Sequence, residues 1–553
     1  MSGVDSADLI AQAEAWIAAD PDQRTVSELT DIVRRASLDD TAALADLADR
    51  FSGPLEFGTA GLRAAVGPGE HRMNRAVVSR AAAGLTSWIQ QRGGGAVVVG
   101  FDARTDSDLF ARDTVEISAG AGLPAMVLPQ PLPTPVLAFA VRWLAAAAGV
   151  MVTASHNPAA DNGYKVYDAS GSQIVPPSDS EIAALIADAP AANQIVRGDD
   201  WDTLGDDVLD AYLTRATATL LSGVRDLTWV YTPMHGVGGA VMLAAADRAG
   251  FPAPTVVREQ AEPDPAFPTV AFPNPEEPGA LDLALALAAN VSADVLIAHD
   301  PDADRCAVAV PTSNGWRALS GDELGSILGW WTIERARRQG VSLNGTFANS
   351  IVSSTLLEQI ARDAGLNYQA TLTGFKWIGR LPGLLFGYEE ALGYCVDASG
   401  VADKDGITAA LRVLELVAAL RAEGQTLLDV LDDLARRFGV YATRQLSLRF
   451  DDLALIGVAL DRLVAAPPTT VAGVAVRSVE NLADGVGDLP PTPGLRLWLA
   501  DDSRIIVRPS GTEPKLKAYL LVVRPVTSDL ASTRRSADER LAALQSAIGE
   551  LLA

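Results

Sequence analysis

Several apolar runs in this chain do not alternate with polar residues. Each is broken by a polar or Gly-rich turn that leads into an amphipathic stretch. AVVVGFDAR (Ala96–Arg104), GVMVTASHNP (Gly149–Pro158), LTWVYTPMHGVGG (Leu227–Gly239) and ADVLIAHDPDADR (Ala293–Arg305) all have this form. A strand that is apolar at every position must be covered on both faces, as in a parallel sheet flanked by helices. The pattern predicts α/β layers, with functional loops beyond the carboxyl ends of the strands. It also repeats loosely. VVVGFDAR, WVYTPMHG and GTFANSIVSS each open a segment whose later apolar strand ends in TASHNP, DPDADR and GYEEALGY respectively. Three similar α/β domains with mixed, mainly parallel sheets are the simplest reading.

The two ends differ from this middle. The first fifty residues read as helices, with Leu9, Ile10, Ala13, Trp16 and Ile17 at helical spacing. Toward the other end, Leu495–Leu499, Arg504–Arg508 and Lys515–Val522 read as strands between tight polar turns, and Asp538–Leu552 as a closing helix. That is an α+β module. A chain of 553 residues is too long for one core. Boundaries are expected near Gly198–Gly205, Pro311–Gly315 and Val440–Ser447, giving domains 1–205, 206–313, 314–443 and 444–553.

The formal net charge is -25. So acidic a surface repels nucleic acid and anionic membranes, and neither is an expected partner. It repels phosphosugars as well, so a phosphate site must gather basic groups locally. Two cysteines, Cys306 and Cys395, are too few for a disulfide framework or a cysteine-rich zinc site. The N-terminus lacks the pattern of a signal peptide and no apolar run reaches membrane-spanning length. The expectation is a cytoplasmic protein, monomeric or a small homo-oligomer.

Three short stretches carry chemistry. In TASHNPAADNGYK (Thr153–Lys165) an apolar strand ends in a small-residue turn with Ser155, His156 and Asn157. A serine there is exposed beside main-chain N–H groups able to hold an anion, although a capping serine in an ordinary turn looks the same. In DPDADR the carboxylates of Asp300, Asp302 and Asp304 alternate along one turn, where their repulsion is costly unless a cation sits among them. An all-oxygen set suits a hard ion such as magnesium. A calcium hand needs Gly at the sixth position and Glu at the twelfth, which here are Arg305 and Pro311, and is excluded. A solvated acidic turn is the plain alternative. Arg305 either balances these acids or reaches a phosphate. In RPSGTEPK (Arg508–Lys515) two cations and two hydroxyls surround Gly511, a combination suited to phosphate. Two weaker loops remain. GYEEALGY (Gly387–Tyr394) offers Glu389 and Glu390 to sugar hydroxyls or to solvent, and GTAGLR (Gly58–Arg63) ends in a cation.

TASHNP, DPDADR, GYEEALG and RPSGTEP, in this order, resemble the four active-site loops of the α-D-phosphohexomutase superfamily. The resemblance runs from about Phe57 to Val523. GTAGLRA, GFDARTDS, TPMHGVGG, TGFKWIG and GYEEALGY look most like the branch holding phosphoglucomutase 2 and phosphopentomutase. It implies four domains around a central cleft, contributing in turn a phosphoserine loop, a metal loop, a sugar loop and a phosphate loop. It implies that Ser155 carries a transferable phosphoryl group and that Asp300, Asp302 and Asp304 hold Mg2+ with an oxygen of that phosphoserine. Glucose 1,6-bisphosphate is the implied priming activator. By motif position Lys165 and Lys404 become the acid and base, with Arg63, His156 and Arg305 in support. Glu389 and Lys376 become sugar contacts, and Arg508, Ser510, Gly511, Thr512 and Lys515 the phosphate grip. The expected activity interconverts sugar 1- and 6-phosphates, glucose foremost, with pentose 1-/5-phosphate or mannose phosphate as further substrates. Many hexomutases read Glu-x-Ser-Gly-His in the sugar loop, whereas Ala391, Leu392 and Gly393 follow the glutamates here. A sugar 1,6-bisphosphate synthase using the same serine, or a catalytically silent binding protein, are the alternatives.

Overall fold

The computed structural model describes residues 6–58, 61–450, 453–510, 515–527 and 529–552. Contacts divide the chain into two units, one of residues up to Ala318 with Gly393–Ala418, the other Leu319–Leu392 with residues from Ala419 onward.

The first unit opens with helices Ser6–Ala19, Gln23–Ala36 and Thr41–Arg50. Asp22 and Asp40 cap the second and third by accepting main-chain N–H groups, and Leu9, Leu29, Ile32, Leu47 and Phe51 form their shared core. A six-stranded sheet follows, in the order Leu62–Ala65, Asp161–Asp168, Ala148–Val152, Val97–Phe101, Ala125–Val127, Asp202–Thr203. Val97–Phe101 and Ala148–Val152 are parallel and almost wholly buried, as their unbroken apolar runs require. A second, five-stranded sheet sets Trp229–Thr232 parallel to Val295–His299. In both sheets the strand that ends in a motif loop then turns back into an antiparallel neighbour, Asp161–Asp168 or Cys306–Thr312.

In the second unit Thr346–Ser350 lies parallel to Asn367–Thr371 and to Leu384–Glu389. The repeat seen in the sequence is thus structural: each opening strand pairs with the strand that delivers its loop. The C-terminal sheet is antiparallel throughout, in the order Val440–Arg449, Lys515–Arg524, Arg504–Pro509, Leu495–Leu499, Val474–Asn481, Thr470–Val471.

Three details bear on the expected boundaries and the closing helix. Val440–Arg449 is a ten-residue strand paired along its whole length with Lys515–Arg524, and it runs across the expected 443/444 boundary. Pro311–Gly315 is the turn of a hairpin between Cys306–Thr312 and Gly315–Ala318. The closing helix begins at Leu530, because the Asp529 carboxylate accepts the Ser532 N–H and caps it there. Among the described residues no helix is long and apolar enough to cross a membrane.

Candidate active site

Ser155 sits where the strand Ala148–Val152 ends, with a left-handed backbone at φ 53°. That turn is held from beneath. The Thr153 hydroxyl accepts the Ser155 N–H at 2.8 Å and donates to Asp102 at 2.6 Å. The buried Arg104 guanidinium donates to the carbonyls of Ser155, Asn157, Pro158 and Asp161 at 2.6–3.0 Å. Asp102 also accepts from the Arg104 N–H and the Ser107 hydroxyl. A non-glycine residue in the left-handed region costs about 1–3 kcal/mol and persists where its surroundings over-determine it. These hydrogen bonds do so, and they turn the Ser155 hydroxyl toward Asp300 of the DPDADR turn.

There the Ser155 Oγ donates to Asp300 Oδ2 at 2.8 Å and lies 3.2 Å from His156 Nδ1. Asp300, Asp302 and Asp304 are all buried, and one oxygen from each lies within 4.8 Å of the others. Lys165 stands on the antiparallel strand opposite Met151. Its Nζ is 2.8 Å from Asp302 Oδ2 and 3.2 Å from Asp304 Oδ2, and the Lys404 Nζ is 3.1 Å from Asp304 Oδ2. Thr134 donates to Asp302 at 2.7 Å. The Arg305 N–H donates to Asp300 Oδ1, and its guanidinium lies 3.5 Å from Glu276 and 3.9 Å from Asp300. Arg63 donates to Asn157 at 3.0 Å, bringing GTAGLR to the serine turn; Thr59 and Ala60 of that motif lie outside the described residues.

Burial, reinforced by Asp302 and Asp304, pushes Asp300 well above the usual carboxylate range. Burial also pushes Asp302 upward, but Lys165 and the Thr134 hydroxyl outweigh it and hold that group well below. His156 is held well below its ordinary value by burial and by the cations Arg305 and Arg63, so its ring is neutral. Asp302 Oδ1 and Asp304 Oδ1 are buried and have no hydrogen-bond partner. Anionic oxygens left unmatched in a buried, all-oxygen cluster fit a hard divalent cation.

The turn that carries Lys404 reaches this cluster through a glycine. A Cβ on Gly406 would come within 2.5 Å of the Arg305 carbonyl and 2.7 Å of that of Ala303. His299 Nε2 donates to the Gly406 carbonyl at 3.0 Å, which leaves Nδ1 to accept from the Tyr231 hydroxyl, also at 3.0 Å. The first unit therefore gathers Ser155, His156, Lys165, Lys404, Arg63, Arg305 and the three aspartates.

The other expected site residues belong to the second unit. Glu389 ends its strand and accepts the Gly374 N–H at 2.6 Å. Lys376 lies two residues beyond that glycine, its Nζ 5.6 Å from the Trp377 ring centre. Glu390 accepts from the hydroxyls of Ser350 and Ser353, each at 3.0 Å. Arg508 lies one residue before the end of the strand Arg504–Pro509, and burial, with the negative charge of Glu390, holds the neighbouring Tyr519 hydroxyl well above its ordinary value. The Ser510 N–H donates to the Lys515 carbonyl at 2.8 Å, while Gly511 and Thr512 lie outside the described residues.

Sequence reasoning missed Thr134, Arg104, Ser350 and Ser353. Arg104 had a signal, since GFDAR opens the first repeat. The serines stand in the matching position of the third, GTFANSIVSS.

The chain matches the family described as Phosphoglucomutase/phosphomannomutase in three successive stretches: α/β/α domain I over residues 54–192, domain II over 210–315 and domain III over 320–438. A probable phosphomannomutase of Haemophilus influenzae is 48% identical over 455 residues, 81% of this chain and 92% of the relative. The human phosphopentomutase is 32% identical over 601 residues, covering 98% and 96% of the two chains. A Phosphoglucomutase/phosphomannomutase family protein of Burkholderia thailandensis shares the fold, with a TM-score of 0.67, 20% identity and coverage of 89% and 97%.

Proposed function

Because this chain belongs to the phosphoglucomutase/phosphomannomutase family of the α-D-phosphohexomutase superfamily, and so is a phosphosugar mutase, an isomerase acting by phosphotransfer, we propose that Ser155 carries the phosphoryl group in transit. The observation that carries this reading is the Ser155 hydroxyl donating to Asp300 at the edge of three buried carboxylates and two lysines. Asp300, Asp302 and Asp304 would hold Mg2+, which when bound offsets the charge of a phosphoserine and of the phosphoryl group in flight. Lys165 rests as an ammonium: burial lowers its pKa, but Asp302 and Asp304 raise it more. It is thus placed to give a proton to a departing oxygen, and Lys404, on the same Asp304 oxygen, is the other acid–base group, which would shed its own proton before taking one from the attacking sugar hydroxyl. Arg305 and Arg63 supply positive charge beside the serine turn, and the neutral His156 ring offers a hydrogen bond to the serine oxygen.

Glu389 and Lys376 would read the sugar hydroxyls, and Arg508, Ser510, Gly511, Thr512 and Lys515 would grip the phosphate that is not reacting. Phosphoryl transfer from the serine gives a bound bisphosphate, and after the sugar turns over Ser155 takes back the other phosphate. Glucose 1,6-bisphosphate would prime the cycle by loading Ser155. The four loops would lie in domains 1–205, 206–313, 314–443 and 444–553, with the last division better placed before Val440, where its strand begins.

For the sugar we favour glucose 1-/6-phosphate and pentose 1-/5-phosphates over mannose phosphate, since the sugar loop keeps Glu389 but lacks the Ser and His of the Glu-x-Ser-Gly-His pattern. A coupled assay across glucose, mannose, ribose and deoxyribose phosphates, with and without added bisphosphate, tests this. A catalytic efficiency with mannose 1-phosphate clearly above the others overturns the preference. Net release of bisphosphate from an acyl phosphate donor would make the enzyme a synthase instead.

A further inference from the structure

In the second unit one buried arginine links the sugar loop to the phosphate turn. Arg504 begins the strand whose far end carries Arg508. Side chains alternate along a strand, so Arg504, Ile506 and Arg508 share one face, while Ile505 and Val507 enter the C-terminal core. On the shared face Ile506 and Tyr519 pack with Ile351, Val352, Leu372 and Leu482 in a separate apolar cluster. Arg504 is 3% exposed. Its Nη2 donates to the carbonyls of Val352 at 3.0 Å and Ser353 at 2.7 Å, and its Nε has no partner. The Ser353 hydroxyl then donates to Glu390, the neighbour of Glu389. Tyr519, on the neighbouring strand opposite Ile506, packs into the same apolar cluster.

Burying a guanidinium against carbonyls rather than a carboxylate is costly. Burial pulls its pKa down to about 10, which still leaves it charged at neutral pH. An apolar residue would fill the site at lower cost, but apolar contact is non-directional and tolerates sliding. Hydrogen bonds to two successive carbonyls do not. We propose that Arg504 is a positioning residue that fixes the spacing between the phosphate turn at Arg508 and the sugar loop at Glu389–Glu390, so that one phosphosugar meets both. This rests on the substrate contacts proposed above for those two loops.

If the pin is lost, each grip keeps its own chemistry but the two no longer match one ligand. A sugar phosphate senses that mismatch and inorganic phosphate does not. The readout is the KM for glucose 1-phosphate divided by the inhibition constant of inorganic phosphate. Arg504→Lys should raise this ratio about 10-fold, with kcat within about 3-fold of wild type, because misplacement by a fraction of an ångström is felt only by a ligand that spans both sites. Ser353→Ala keeps the carbonyl and removes only the hydroxyl at Glu390, and should raise the ratio about 3-fold. A merely structural arginine would lower the melting temperature and leave the ratio alone. Glu389→Gln and Arg508→Lys are measured alongside. If they raise the KM and the phosphate inhibition constant respectively while Arg504→Lys leaves the ratio unchanged, the pin is wrong and the contact reading stands. If neither control moves its constant, the contact reading falls and the pin with it. Should Arg504→Lys fail to fold, the Ser353→Ala ratio decides, and an unchanged ratio overturns the proposal.

Discussion

In the first unit the charged groups of the site face one another. Lys165 and Lys404 lie against Asp302 and Asp304 at 2.8–3.2 Å, all of them buried or nearly so, and two carboxylate oxygens are left without partners. In the second unit neutral groups are among the partners of Glu389, Glu390 and Arg504. Glu389 takes a main-chain N–H, Glu390 takes two serine hydroxyls, and Arg504 gives its protons to carbonyls. Opposed charges in a low dielectric respond strongly when charge arrives or leaves, whereas neutral partners hold shape without creating a large field. The first arrangement suits moving a phosphoryl group and the second suits recognising what is attached to it. Substitutions in the first unit should therefore lower kcat, and those in the second should raise KM.

The largest effect is expected at Asp302. Asp302→Asn keeps the shape and removes one negative charge, and should lower kcat about 10³-fold with a much smaller change in KM, because charge compensation acts in the transfer step. A companion result is that chelation stops turnover and magnesium restores it. Full activity after chelation would remove the metal from the account. Next is Lys165→Met, expected to cost about 10²-fold in kcat as a lost proton donor; a change confined to KM would move Lys165 into the recognition class. Smaller again is Glu389→Gln. It should lower kcat/KM for glucose 1-phosphate about 10-fold, mostly through KM, while inhibition by inorganic phosphate stays nearly constant. A pure kcat effect there would break the division between the units.

The smallest effect concerns Asp322, a buried carboxyl that accepts from the Ser354 N–H and the Tyr388 hydroxyl. Burial raises its pKa to about 6, from 3.8. A folded pKa above the unfolded one means the native state binds the extra proton, so this group's contribution is full below about pH 4 and is lost as pH rises through 6. Asp322→Asn cannot ionise. Its melting temperature relative to wild type should improve from pH 5 to pH 8, by an amount on the order of 1 kcal/mol in stability. A difference that stays flat with pH would mean Asp322 does not titrate in that range.

The charged part of the site was legible because it is dense. Three aspartates at alternate positions, or a serine at the end of an unbroken apolar strand, are unusual enough to stand out in a single sequence. Lys165 and Lys404 came from motif position alone; what joins them at Asp304 is the antiparallel return strand and the glycine at 406. Thr134, Ser350 and Ser353 were not legible, since a hydroxyl in a turn has many ordinary uses and only the fold brings these to a carboxylate. Val440–Ser447 read as a boundary, but it lies within the strand Val440–Arg449, whose polar residues Thr443, Gln445 and Ser447 pair with Lys515–Arg524.

The central claim is a covalent one and can be tested directly. After incubation with glucose 1,6-bisphosphate and magnesium, the intact protein should gain one phosphoryl group, and peptide mapping should place it on Ser155. Ser155→Ala should neither gain it nor turn over. Unimpaired turnover by Ser155→Ala, or a phosphoryl group mapped to another residue, would contradict the account.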